Sequence, residues 1–272
     1  ERKANSSAIL QLIPLFNLPL LQKIISATID LVNSQLKALN DIPVEFLDPL
    51  SECDIEGIGE EDINPFVDYL KKEVENPDHY LATLLIISPI CHGLSHLDPT
   101  FGSYVRDTLL NVIAKEDRES KLVGCYMLIF AAHLFQHEPD TAPPTEQLLS
   151  ILKPLISHQD QVLRKRANKA FRVLLDTNVL LTEKAIKEYL SYFETFPKEY
   201  LADYFKIISS FVVPHSENDD DDDYLDEEDE QDQVGLEIIQ PIVDFVNSKI
   251  SSEDPTVRAL CLDVMSDLGF KD

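Results

Sequence analysis

The chain repeats itself, and the period of that repetition constrains its fold more than any other feature. Pro65-Phe66-Val67-Asp68-Tyr69-Leu70 returns as Pro241-Ile242-Val243-Asp244-Phe245-Val246, an offset of 176 residues, and an acid, Asp78 or Asp254, stands thirteen residues after each leading proline. A second echo pairs Pro77-Asp78-His79-Tyr80-Leu81-Ala82 with Pro197-Lys198-Glu199-Tyr200-Leu201-Ala202, an offset of 120 residues. The two offsets are four periods of 44 and three of 40, so both point to one unit of about forty residues. A unit of that length holds two helices and a turn. One such hairpin cannot bury its apolar face alone, and stacked neighbours supply the core.

The local pattern inside the units is helical. From Gln159 to Thr177, Leu163, Ala167, Ala170 and Leu174 recur at helical spacing, while Lys165, Lys169 and Arg172 mark another face. From Leu122 to Phe135 the sequence LVGCYMLIFAAHLF is apolar on almost every side, which predicts a helix covered on both flanks. Hairpin dipeptides and sustained period-two alternation are missing, so the chain reads as all-α. The turn within each hairpin falls at Asp78, Asp117, Asp160, Lys198 and Asp254, with spacings of 39, 43, 38 and 56 residues. The four acids can cap the helix that follows. Lys121, Arg164 and Arg258 come four residues after three of them; Ala82 and Ala202 take that place in the other two units. An earlier hairpin, with Asn17 and Pro19 opening a helix that runs to about Leu39, brings the count to about six. Interior prolines such as Pro154 are expected to kink a first helix.

On these residues the chain resembles the HEAT repeats: Pro241 through Asp254-Pro255-Thr256-Val257-Arg258-Ala259, and Pro154 through Asp160 to Leu163-Arg164. The resemblance covers most of Asn64 to Phe270. It implies a right-handed, armadillo-type α-solenoid of about six helical hairpins, with the second helices lining a concave face, spanning residues 1–272 as one domain.

Two inserts interrupt the period. Residues 214–233 enclose ENDDDDDYLDEEDEQD, in which twelve of sixteen residues, Glu217 to Asp232, are acidic. Such a run cannot pack against itself and is expected to be a disordered, extended loop between the fifth and sixth hairpins. Three roles are open. It can solubilise; it can attract a basic segment, with Asp219, Asp220, Asp221, Asp222, Asp223, Asp226, Glu227, Glu228, Asp229 and Glu230 as the charge and Tyr224 and Leu225 as an apolar hold; or it can cover the basic strip Arg164, Lys165, Arg166, Lys169 and Arg172. Residues 40–62 mix acids with Val44, Phe46, Leu47 and Ile55, which suits a loop pinned over the solenoid edge or a contact for a basic, apolar peptide.

The chain of 272 residues carries 49 Asp and Glu against 23 Lys and Arg, a net charge of -26. That balance argues against a nucleic-acid binder, which needs cations to neutralise phosphates, and favours basic proteins or basic peptide segments as partners. With only seven Gly and no Gly-rich phosphate loop, nucleotide chemistry loses its usual signature. Cys53, Cys91, Cys125 and Cys261 are scattered without a CxxC pair, which fits a reducing compartment. No apolar run approaches a membrane span, and ERKANSSAIL lacks a signal-peptide core. A start at Glu1 is expected of a piece excised from a longer chain or complex.

His92 and His96, and His133 and His137, are i, i+4 pairs that could clamp a metal from one helix face, but HLFQH lacks the Glu of HExxH and packed or exposed histidines are the expectation. No Ser or Cys nucleophile has a motif around it, so no catalytic, cofactor or metal site is expected and the chain is not read as an enzyme.

An acidic HEAT solenoid with an acidic loop resembles the importin-β-type nuclear transport receptors. That likeness implies basic cargo, Ran GTPase as a further partner, and a place in both cytoplasm and nucleus. In that family the acidic loop lies within one hairpin; here it joins two. The alternative is a HEAT scaffold or regulatory subunit of a larger complex, similar to the protein phosphatase 2A scaffold or condensin-type subunits. Tubulin-binding TOG arrays, also HEAT solenoids, typically present Trp and basic residues, whereas this chain has no Trp.

Overall fold

The computed structural model describes residues 18–37, 68–97, 100–212 and 236–269. Among them the regular structure is entirely helical: α1 (Leu18–Lys37), α2 (68–74), α3 (Tyr80–Leu97), α4 (Phe101–Ile113), α5 (Arg118–His137), α6 (Thr145–Ile156), α7 (Gln161–Asp176), α8 (Thr182–Ser191), α9 (Leu201–Ser210), α10 (Leu236–Lys249) and α11 (Pro255–Asp267). The helix opened by Asn17 and Pro19 in the sequence is α1. The five expected turns all fall immediately before a helix: Asp78 before α3, Asp117 before α5, Asp160 before α7, Lys198 before α9 and Asp254 before α11. The odd-numbered helices are therefore the second helices of their hairpins.

The chain divides into two compact units, residues 1–147 with 158–179, and residues 148–157 with 180–272. In the first, α1, α3, α5 and α7 pack in sequence, each on the second helix of the neighbouring hairpin, and α4 packs on both α3 and α5. In the second, α8 packs on α10, α9 on α11, and α10 on α11. Packing of like helices from successive hairpins is the signature of an α-solenoid, and both units have it. The all-α architecture of stacked helical hairpins expected from the repeat is the one observed in each unit.

Helix α5 is the centre of the first unit. Val123, Cys125, Tyr126, Met127, Ala131, Ala132 and Leu134 are wholly buried, because α3, α4 and α7 cover three sides of it. Gly124 permits the close approach of α4: a Cβ there would lie 2.6 Å from Ile113 Cβ. Leu163, Ala167, Ala170 and Leu174 form the buried stripe of α7 as their spacing predicts. Pro154 and Pro241 do lie inside α6 and α10.

The core of the second unit is aromatic. Tyr189 and Tyr204 stack with ring centroids 5.3 Å apart, and the Tyr204 hydroxyl donates to the carbonyls of Tyr189 and Leu190, which ends α8 against α9. Phe193 meets Phe205 and Phe245 edge to face, tying the turn after α8 to α9 and α10. Such contacts add about 0.5–1.5 kcal/mol each beyond the area they bury.

Candidate functional site

Asp219 to Asp223, Tyr224 and Asp226 to Glu230 lie outside the described residues, as do both inserts, 40–62 and 214–233. What the structure supplies for the acidic run is its mounting. The segment 213–235 leaves α9, a second helix, after the buried Phe211 and Val212, and enters α10, the first helix of the next hairpin. The run thus joins two hairpins, as its place in the sequence implied.

The best-defined polar architecture lies in the turns within the hairpins. Asp117, Asp160 and Asp254 each cap a second helix, accepting from the amides of Ser120 (2.8 Å), Leu163 (2.9 Å) and Thr256 (2.9 Å). The side chain two residues earlier accepts from the acid's own amide: Asn76 for Asp78, His158 for Asp160, Ser252 for Asp254. The basic residue four positions later closes the turn. Arg164 Nη1 donates to the carbonyls of His158 (2.8 Å) and Gln159 (3.4 Å), and Arg258 Nη1 to those of Ser252 (2.7 Å) and Glu253 (3.0 Å). The sequence pattern of acid and base at i, i+4 is thus a clamp on two carbonyls of the turn between the helices. Lys121, in the same place, reaches back to Glu116 at 3.5 Å.

Successive turns are also tied to one another. Arg118, the first residue of α5, donates through Nε to Asp160 Oδ2 at 2.7 Å, so the capping acid of one hairpin holds the base of the previous one. Asn33 of α1 donates to the Asp78 carbonyl in the same way. Burial works to raise the Asp160 carboxyl, but the Arg118 guanidinium and the amides of Leu163 and Val162 together hold it below the ordinary value. For Asp117, the amide and hydroxyl of Ser120 likewise outweigh burial.

A shallow cleft of about 310 Å³ opens on this edge, lined by Val74, Glu75, Pro77, Tyr80 and Lys115. Lys115 follows the C-terminus of α4, and its ammonium stands 4.3 Å from the centre of the Tyr80 ring. Composition and motif reasoning missed this pairing, because the two residues come from different hairpins and, although Tyr80 belongs to the repeated segment, Lys115 does not.

The residues singled out for other chemistry fall as follows. His133 and His137 are both exposed on α5, and among the described residues no three His, Cys, Asp or Glu side chains gather into a metal-holding group. Cys125 is fully buried, and burial pushes its thiol up to about 12. The strip Arg164, Lys165, Arg166, Lys169 and Arg172 is not one exposed surface: Arg164 is 2% exposed, inside its turn, and Arg166 lies against the Tyr126 ring at 5.1 Å. No described helix is long and apolar enough to cross a membrane.

No protein-family model and no curated protein matches the chain. Solved structures similar to it include an engineered protein, 13% identical over 88% of this chain and 96% of that one with a TM-score of 0.40. A designed armadillo repeat protein in complex with the peptide (KR)4 is 12% identical over 87% and 99%, also at 0.40. A further designed armadillo repeat protein is 14% identical over 87% and 99%, again at 0.40. At this distance the likeness carries nothing about partner or activity, and the architecture rests on the chain's own stacking.

Proposed function

We propose that this chain is a protein-binding α-solenoid that holds basic segments of partner proteins, as an importin-β-like nuclear transport receptor or chaperone does. One observation carries the reading: twelve acids in sixteen residues, Glu217 to Asp232, are mounted between a second helix and the first helix of the following hairpin. Anchored at both ends, such a run concentrates negative charge where a lysine-rich segment can be met, and steers its approach. The rest of the chain adds to the field, because removing those twelve charges still leaves -14.

On this reading the protein works in cytoplasm and nucleus, Ran GTPase is a second partner, and nucleic acid and membranes are not. A pull-down tests it: the chain should retain histones or ribosomal proteins from a defined mixture, and Ran loaded with GTP should bind it or displace them. Retention of basic proteins without any effect of Ran would leave basic-protein binding and remove the transport role in favour of a scaffold. Failure to retain any basic protein would refute the proposal.

A further inference from the structure

We propose that the cleft lined by Val74, Glu75, Pro77, Tyr80 and Lys115 is a receptor for a single lysine or arginine side chain of a partner, and that the chain's own Lys115 covers its Tyr80 ring in the unbound protein. The inference rests on the basic-partner reading above and deepens it by naming a site. Its starting point is the ammonium of Lys115, 4.3 Å from the centre of the Tyr80 ring. A ring face attracts a cation through its quadrupole and discriminates against an anion. Val74 and Pro77 give the cleft apolar walls suited to a methylene stem, and the Glu75 carboxylate at its rim supplies the opposite charge. The space these residues line beside Lys115, about 310 Å³ and open to solvent, is of side-chain size.

Lys115 shows what chemistry the cleft accepts, and its tether shows that it can leave. It stands on the exposed turn after α4, where its backbone amide donates to Val112 O at 3.1 Å, so the turn keeps its own hydrogen bond when the side chain swings away. Glu75 is exposed and Tyr80 half-buried, so the floor is reachable from solvent. A partner's cation therefore competes with Lys115 for the same ring, in a chain whose net charge of -26 already draws cations to it.

The test is a two-by-two set of variants titrated with a short lysine-rich peptide: the unchanged chain, Lys115→Ala, Tyr80→Leu and the double variant. Lys115→Ala should tighten binding by about twofold to fivefold, the worth of one exposed cation–ring contact. Glu75→Gln should weaken it by a similar factor, whereas Tyr80→Leu alone should change it little, because the partner's cation–ring contact replaces that of Lys115. The decisive comparison is the double variant. Removing a positive charge strengthens attraction for a basic peptide anywhere on the surface, but only release of the ring requires Tyr80, so the gain must vanish in the Tyr80→Leu background. An equal gain in both backgrounds, or no gain in either, overturns the inference.

An acidic peptide that binds and is lost on Lys115→Ala would overturn it too, by showing an anion site. N-acetyl-lysine amide, followed by the shift of Tyr80 ring resonances, tests the cleft separately from the acidic run. Movement of those resonances in a chain with the run neutralised supports the cleft even if the long peptide no longer binds. No movement at saturating probe refutes it while leaving the wider reading standing.

Discussion

Arg164 and Arg258 make the same pair of hydrogen bonds in two hairpins, and removing each in turn measures what burial adds to the clamp. Arg164 Nη1 reaches its two carbonyls at 2.8 and 3.4 Å, Arg258 Nη1 at 2.7 and 3.0 Å. Bond length alone makes Arg258 the stronger of the two. Exposure reverses the order. Arg164 is 2% exposed, so its truncation removes both bonds and empties the buried space of its stem. With about 1.5–3 kcal/mol for a charge-assisted bond, the short contact counted in full and the long one in small part, Arg164→Ala should cost about 2–4 kcal/mol. Arg258 is exposed, and water replaces what it gives up, so Arg258→Ala should cost about 1 kcal/mol or less. Urea unfolding followed by circular dichroism, with hydrogen exchange at the amides of α7 and α11, reads both. Equal costs, or the larger at Arg258, would refute the argument that burial decides the worth of this motif.

Leu174→Ala should cost about 2–5 kcal/mol in the same assay, since Leu174 is fully buried in the stripe of α7; a near-neutral result would show that this register is wrong. Tyr192 is buried and its hydroxyl finds no hydrogen-bond partner among the described residues, so Tyr192→Phe should leave stability unchanged or raise it by about 1 kcal/mol, and a loss would reveal a bound water or partner group. Asp160 is held below the ordinary carboxylate value of 3.8, so its contribution is complete above that pH and is lost as pH falls through the lower folded value. Asp160→Asn should therefore flatten the fall of stability below about pH 4, and an unchanged acid profile would show that the Arg118 contact carries little.

The repeat was legible because its caps are chemically constrained. An Asp before a helix and a base four positions on recur in three of the turns, so Asp117, Asp160 and Asp254 could be placed from the sequence alone. The acceptor two residues before each acid was not legible: Asn76, His158 and Ser252 do one task with three different side chains. The basic strip misled for a related reason. Helical spacing puts Arg164 beside Lys165 and Arg166, but it does not reveal that the turn carbonyls draw Arg164 inward. The Arg118–Asp160 tie and the Lys115–Tyr80 pair each join residues about forty positions apart, on neighbouring hairpins, where period gives proximity but not partner.

The central claim, that the acidic run holds a basic partner, is tested most directly by binding of a lysine-rich protein at two salt concentrations. The chain should be compared with a variant in which Asp219 to Asp223 and Asp226 to Glu230 are replaced by Ser, Asn or Gln. Exposed charges farther apart than about 10 Å are largely screened at 0.1 M salt, so a run that works by attraction must lose its hold as salt rises. The account predicts weaker affinity, a slower on-rate and a flatter salt dependence in the variant, with the unfolding temperature barely altered. Unchanged affinity at low salt would contradict it and make the run a solubilising segment; tighter binding would contradict it as well, and point to a run that masks the partner's surface.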